Sequence, residues 1–220
     1  GDLSGFTENP AYVVHPPLGK WLIAIGEHFF GMTPFGWRIS DCVFGALLVL
    51  LTVRLARRLS RSTLVGGIAG LLVTFDGLAF TMSRIALLDI FQAVFVLAAV
   101  AALVADRDWF RLRLAGYLRD NNLNSLDGDY GPLVLFRPWR LVAGAMFGAA
   151  CAVKWNSVYA VAVFGILTVA WDIGARRLAG AGRRRKVTRF NGGMALLCML
   201  CATLVIGSRI GYVQGALLIG

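Results

Sequence analysis

Long apolar runs separated by short basic segments dominate the sequence. A helix needs about 20 mostly apolar residues to cross the hydrocarbon core of a bilayer. Six runs approach that length, and the pattern predicts a membrane span in each of them: residues 36–54, 63–83, 85–105, 141–153, 157–174 and 191–212. The run 141–153 is short, but it extends through Lys154 and Trp155. We therefore predict an all-α integral membrane protein, a multi-span helical bundle with about six spans.

The segment before the first predicted span has a different character. Residues 21–32 are apolar but too few to cross a bilayer, and they include Glu27 and His28. We expect residues 1–35 to be the end of an outer loop with a surface helix. The chain starts at Gly1, and Gly220 lies in or just after an apolar stretch, so we expect an internal piece of a longer protein.

Basic residues are clustered between the apolar runs. The formal net charge is +10, and 17 of the 22 Lys and Arg residues lie in residues 54–61, 107–140 and 176–189. Cytoplasmic loops of membrane proteins carry such an excess of positive charge. The clusters therefore predict cytoplasmic loops near 54–62, 106–140 and 175–190, and topology explains the charge better than nucleic-acid binding does.

The remaining cations fall at the opposite ends of the predicted spans: Lys20, Arg38, Arg84, Lys154 and Arg209. His15 and Asp89 join them there, with Asp41 one turn further in. Ionisable residues near hydrocarbon are usually paired or functional, and Arg and Lys are the side chains that bind phosphate. We predict an outer polar cluster for a lipid-linked phosphate. Structural alternatives stay open: ion pairs Arg38–Asp41 and Arg84–Asp89, and headgroup anchoring by Lys20, Arg209 and Lys154 with Trp155.

The string His15-Pro16-Pro17-Leu18-Gly19-Lys20 is the densest polar and proline-rich segment. Adjacent prolines cannot continue a helix, because each lacks an N–H and favours extended geometry in the residue before it. The string therefore fixes an imidazole and an ammonium just before an apolar segment, where they can bind a charged ligand. By contrast, Cys42, Cys151, Cys198 and Cys201 lie inside apolar runs, and we interpret them as packing residues with no metal or redox role. No metal-ligand cluster is visible, so we assign no cofactor, and metal dependence stays open.

Four motifs together resemble a known family. The string Val14-His15-Pro16-Pro17-Leu18-Gly19-Lys20 is followed by Gly36-Trp37-Arg38, Ser83-Arg84-x-x-Leu87-Leu88-Asp89 and Lys154-Trp155. In order and spacing they resemble the protein O-mannosyltransferases, the actinobacterial members most closely. The resemblance implies a GT-C membrane glycosyltransferase that moves mannose from polyprenyl-phosphate mannose to Ser or Thr of exported proteins, with inversion. It also implies a carboxylate base and cations that stabilise the leaving phosphate.

The resemblance carries over to single residues. It implies that Arg38 supports the active-site loop, and that His15 and Lys20 shape the donor-headgroup side. It implies further that Arg84 and Asp89 form the Arg-x-x-Leu-Leu-Asp element and that Lys154 contacts phosphate. The family's catalytic Asp-Glu pair lies upstream of the proline string, and this sequence contains no Asp-Glu dipeptide. We expect the first helix and the C-terminal part of one GT-C domain to be missing from residues 1–220, and this piece alone to be inactive.

The resemblance also implies partners and a location. The partners are polyprenyl-phosphate mannose, secreted Ser/Thr-containing proteins, the Sec translocon and membrane lipids, with no nucleic acid. The location is the bacterial plasma membrane, with the active site on the extracytoplasmic side. Two alternatives remain: a GT-C enzyme that moves arabinose or an amino sugar to a glycan or lipid, and a secondary transporter. Transporters place charges near the midplane and contain repeats, whereas this chain has charges at span ends and no repeat.

Overall fold

The computed structural model describes residues 15–127, 131–134 and 136–180. In this part of the chain there are helices and no strands, as the apolar runs predict. The helices are α1 (Leu18–Phe30), α2 (Pro34–Ser60), α3 (Thr63–Phe75), α4 (Gly77–Met82), α5 (Leu88–Asp120), α6 (Pro138–Val153) and α7 (Ser157–Leu178). The span predicted at 191–212, Arg209, Cys198 and Cys201 lie outside the described residues.

Three of these helices, α2, α5 and α7, are long and apolar enough to cross a membrane, and α3 and α6 are shorter apolar helices. Helices α2, α5 and α7 run in one direction, and α3 with α4, and α6, run in the other, which brings their ends together in two groups. We call the end formed by residues 15–20, 34–38, 83–89 and 153–157 the site end. The end formed by residues 54–62, 106–120, 136–140 and 172–180 is the arginine end.

Helix α1 begins directly after the two prolines and returns into α2 through a tight corner. Thr33 caps α2 by accepting a hydrogen bond from the Gly36 N–H at 3.1 Å, and Pro34 occupies the first helical turn, where its missing N–H costs nothing. A Cβ on Gly26 or Gly36 would collide with the backbone of this corner. Glycine at both positions therefore lets α1 pack closely on α2 at the site end.

The second predicted span is not one continuous helix. It breaks at Asp76, whose backbone is extended and whose Oδ2 accepts a hydrogen bond from the Ala79 N–H at 2.8 Å. Asp is a preferred N-cap residue because its short side chain satisfies a free amide of the first turn. Residues 63–83 are therefore divided between α3 and the short α4, through which the chain reaches the site end.

The long polar insertion also differs from the prediction. Helix α5 continues through 33 residues to Asp120, so the loop predicted from residue 106 begins at Asn121 instead. Residues 106–120 contain four Arg and three Leu, which are good helix formers, and charge alone does not end a helix. The basic residues of this segment therefore belong to α5 and form part of the arginine end.

The interior of the bundle contains two apolar clusters that follow one another along α5. Near the site end, Ile90, Phe91 and Val153 are fully buried and pack against Leu18 and Leu22 of α1. Towards the arginine end, the buried cluster is Ala99, Ala102, Leu103, Ala143, Phe147 and Val161. The first cluster fixes α1, α5 and α6 together beneath the predicted site residues.

Candidate functional site

An ion pair joins two of the predicted site residues. Lys154, which follows the last residue of α6, places its Nζ 2.6 Å from Oδ1 of Asp89 in the first turn of α5. Gln92, one turn further along α5, donates to Asn156 at 2.6 Å and to Ser157 at 2.8 Å. The start of α5 is thereby tied to the α6–α7 connection. Asp89 pairs with Lys154, and the alternative ion pair Arg84–Asp89 is not formed.

The proline string packs onto this same junction. Pro16, Pro17 and Gly19 are buried, and a Cβ on Gly19 would lie 2.7 Å from the side chain of Leu88 and 3.2 Å from that of Val153. Lys20 is exposed and His15 is half-buried, and neither forms an ion pair or side-chain hydrogen bond with another described residue. The apolar members of the string hold it against α5 and α6, while the polar members stay available.

Arg38 and Arg84 line one cleft at the site end. The cleft has a volume of about 610 Å³ and is bordered by Pro34, Phe35, Arg38, Cys42, Phe80, Thr81, Arg84 and Ile85. The guanidinium of Arg84 lies over the ring of Phe80, 4.6 Å from its centroid. Neither arginine forms an ion pair with any residue in the described ranges, so the alternative Arg38–Asp41 pair is also absent. Two exposed guanidinium groups therefore face one space without a carboxylate to neutralise them.

Apolar grooves adjoin this cleft. Arg38 also borders a cleft of about 490 Å³ with Trp37 and Ala86. A narrower groove of about 250 Å³ begins at Arg84 and Phe80 and runs between α2 and α3, past Gly45, Ala46, Val49, Val73 and Thr74. The arrangement suits an amphiphile, because planar guanidinium groups bind phosphate oxygens and the groove offers apolar surface.

The described residues hold no group of three or more His, Cys, Asp or Glu side chains placed for a metal ion. Cys42 and Cys151 are free thiols, the first exposed and the second half-buried.

Trp155, next to Lys154, is 70% exposed at the site end, as an aromatic residue at a membrane interface would be.

Sequence reasoning missed a buried ion-pair network at the arginine end. Arg137 donates to Asp106 and to Asp172 at 2.6 Å each, and Arg140 lies 2.9 Å from Asp106 and 3.2 Å from Asp172. The two arginines are 6% and 4% exposed. Arg137 also lies over the Phe110 ring at 4.3 Å. The network joins α5, α6 and α7. Its two positive and two negative charges balance, so it carries no net charge that would attract a ligand.

One signal could have revealed this network. Asp172 lies in an otherwise apolar span and Asp106 at the end of another, and charged residues in such places are usually paired. We assigned residues 106–140 to a polar loop, which removed Arg137 and Arg140 from consideration as partners. Their pairing depends on the chain returning after Asn121, which no local pattern predicts.

Comparison with known proteins identifies what the chain is similar to. The family described as dolichyl-phosphate-mannose-protein mannosyltransferase matches residues 11–116. A polyprenol-phosphate-mannose–protein mannosyltransferase of Mycolicibacterium smegmatis is 49% identical over 175 residues, covering 79% of this chain and 34% of that protein. The Corynebacterium glutamicum protein of the same name is 44% identical over 186 residues, covering 84% of this chain and 35% of its own length.

A shorter similarity extends to a different enzyme. An undecaprenyl phosphate-alpha-4-amino-4-deoxy-L-arabinose arabinosyl transferase of Pseudomonas aeruginosa is 38% identical over 109 residues, covering 49% of this chain and 20% of that protein. No solved structure matches the chain significantly. The chain spans about a third of the length of the mycobacterial and corynebacterial relatives.

Proposed function

The chain belongs to the protein mannosyltransferase family, and from this premise we propose that the complete protein transfers mannose from polyprenyl-phosphate mannose to Ser or Thr hydroxyls of proteins. The described helices agree with the membrane-embedded GT-C type of glycosyltransferase, to which this family belongs. We propose that residues 1–220 are part of one such transmembrane domain and that the reaction inverts the anomeric carbon.

The observation that carries the proposal is the shared cleft of Arg38 and Arg84. When the bond between mannose and the lipid phosphate breaks, negative charge develops on the phosphate, and preorganised cations stabilise that charge. Both guanidinium groups are exposed to the cleft and are unpaired among the described residues. They are therefore available for phosphate oxygens, and the groove beside Arg84 is available for part of the lipid chain.

The Lys154–Asp89 pair and the proline string have a second role in this proposal. The ion pair holds the start of α5 against the end of α6, and the string rests on the same place through Gly19. His15 and Lys20 then border the donor headgroup, and Lys154 adds positive potential beside it. We assign no catalytic base, because the described carboxylate at this site, Asp89, already binds a lysine.

The charge distribution supports an orientation in the membrane. In the described residues, the arginine end carries most of the basic side chains, and positive charge favours the cytoplasmic side. We infer that the site end faces outward across the plasma membrane. There it would meet lipid-linked donor in the outer leaflet and unfolded secreted proteins leaving the Sec translocon, with membrane lipids around the bundle.

A transfer assay tests the proposal. The complete protein in isolated membranes is given labelled polyprenyl-phosphate mannose and a Ser/Thr-rich peptide, as wild type and as Arg38→Ala and Arg84→Ala variants. Arg54→Ala is the matched control, because Arg54 is an exposed arginine of the same helix as Arg38 but at its other end. We expect transfer to fall at least about tenfold in the first two variants only.

The second candidate is transfer of an amino-arabinose from a polyprenyl phosphate, which the shorter similarity to the Pseudomonas enzyme favours. The same membranes are therefore tested with the aminoarabinose donor and a lipid acceptor. Transfer from that donor, with none from polyprenyl-phosphate mannose, would replace the first proposal with the second.

A further inference from the structure

The turn between α4 and α5, residues 83–87, has a strained backbone. Ala86 has a φ of +56°, in the left-handed region that favours glycine. Such conformations persist where surrounding contacts hold them in place, and they are common at functional sites. Something outside the turn must therefore stabilise it, and the adjacent surface belongs to α2.

Asp41 of α2 lies against this turn. Its side chain is fully buried, and within the described residues neither carboxylate oxygen has a hydrogen-bond partner of full geometry. The backbone amides of Ala86 and Leu87 face this side chain. A buried carboxylate without a cation is costly unless fixed dipoles compensate it, and these two amides are the dipoles that face it.

A second contact on the same face of α2 is independent of Asp41. Gly45 is one helical turn further on, and positions i and i+4 lie on one side of a helix. A Cβ at Gly45 would lie 2.5 Å from Cβ of Ser83, the first residue of the turn. Helix α2 therefore meets both ends of the turn, Ser83 by close packing at Gly45 and Ala86 with Leu87 through the buried Asp41 side chain.

The turn carries two of the predicted site residues. Arg84, inside it, lines the cleft shared with Arg38. Asp89, two residues beyond it, pairs with Lys154. The backbone of residues 83–87 thus sets how the guanidinium of Arg84 lies relative to the Lys154–Asp89 ion pair.

From these contacts we propose that Asp41 is a positioning residue: it holds the α4–α5 turn in its strained conformation and so fixes Arg84 relative to Asp89. The role in transfer rests on the function proposed above. Asp41 does not itself bind the donor, because its side chain is fully buried. Its part is to keep the turn, and therefore the Arg84 guanidinium, in one place.

Hydrogen exchange measures the turn directly and without any enzymatic activity. Complete protein in detergent is compared as wild type, Asp41→Ala and Asp41→Asn, with Thr52→Val as the control on the same helix. Thr52 bonds only to its own helix, at Leu48 O. We expect Asp41→Ala to raise exchange in residues 84–88 about tenfold over the control, because those amides open locally. Asp41→Asn keeps an oxygen acceptor and should stay within about threefold of wild type.

Transfer kinetics separate positioning from general stability. Asp41→Ala should raise the KM for polyprenyl-phosphate mannose about tenfold while the thermal midpoint changes little. The KM of Asp41→Asn should be much closer to that of the wild type. Should Asp41→Ala fold poorly, the same comparison is made in an Ala86→Gly background. Glycine adopts positive φ without strain, so loss of Asp41 should cost less there.

Unchanged exchange at residues 84–88 in Asp41→Ala would overturn the proposal. So would an equal rise throughout the bundle, an Asp41→Asn variant as impaired as Asp41→Ala, or additive effects of Asp41→Ala and Ala86→Gly. A wild-type protein that transfers no mannose would refute the proposed function, yet the exchange result would still decide the role of Asp41.

Discussion

Lys154 Nζ lies 2.6 Å from Asp89 Oδ1, across the gap between the end of α6 and the start of α5. The pair joins residues 65 positions apart in sequence, and it is the one ion pair between predicted site residues within the described ranges. The side chains are 19% and 34% exposed. An ion pair with this exposure contributes little to the free energy of unfolding. Its main effect is to fix the positions of the two charged groups.

Removing either charge of this pair should lower stability slightly and activity more. We expect Asp89→Asn or Lys154→Met to cost about 0.5–1 kcal/mol of unfolding free energy, since solvent screens a partly exposed pair. Thermal unfolding in detergent measures this, and the double variant should cost less than the sum of the two. Fully additive costs would show that the two charges do not interact in solution.

The chemistry of the Arg84 side chain should matter as well as its charge. Arg84→Lys keeps a cation but loses the planar fork that meets two phosphate oxygens. We expect inhibition by the product lipid, polyprenyl phosphate, to weaken about tenfold in Arg84→Ala and less in Arg84→Lys. Inhibition constants from transfer assays give the comparison. Equal inhibition of all three proteins would exclude Arg84 from the phosphate site.

Loss of one arginine from the buried network should be severe. Arg137→Ala leaves Asp106 and Asp172 buried with one fewer cation, and breaking a buried pair costs about 3–5 kcal/mol. We expect a large drop in thermal midpoint or in the yield of folded protein. Arg111→Ala is the control, because Arg111 is exposed on the same end of α5. A Arg137→Ala variant as stable as that control would mean that the network is dispensable.

The glycines of α3 should separate into two classes. A Cβ on Gly70 would collide with Val53 of α2, and one on Gly66 would lie 2.9 Å from Cβ of Arg57, whereas a Cβ on Gly67 would meet nothing within 4 Å. Gly70→Ala should therefore destabilise by about 1–3 kcal/mol through overpacking. Gly67→Ala should stabilise by about 0.5–1 kcal/mol, because alanine favours helix. Thermal unfolding of the two variants tests whether α2 and α3 pack as closely as described.

The helical membrane fold could be predicted from the sequence because its signals are local. Apolar length gives a span, and Gly66-x-x-x-Gly70 gives the close approach of α3 to α2 that the structure shows. The break at Asp76 escaped prediction because apolar length outweighed a single capping residue. The continuation of α5 to Asp120 escaped it because charged residues were taken as evidence for a loop.

Side-chain partners were harder to predict than helices. For Asp89 the partner at 2.6 Å is 65 residues away, not the nearby Arg84. Asp41 forms no ion pair with Arg38 and faces the backbone of the α4–α5 turn instead. Sequence spacing proposes neighbours on one helix, whereas packing brings together ends of different helices. The motif string His15–Lys20 lies at the same end of the bundle as the other predicted site residues, but the sequence did not indicate which of its residues face inward.

The length of α5 sets the distance between the two groups of ion pairs in the bundle. At 1.5 Å per residue, the 18 steps from Leu88 to Asp106 measure about 27 Å, close to the roughly 30 Å thickness of a bilayer's hydrocarbon core. Along α5, the Lys154–Asp89 pair and the Arg137 network are therefore separated by about the thickness of a hydrocarbon core. The 14 residues from Asp106 to Asp120 then carry the helix about 20 Å further. A deletion of one turn of α5 before Asp106 would shift Asp106 by about 5.4 Å along the helix axis and out of register with Arg137 and Arg140.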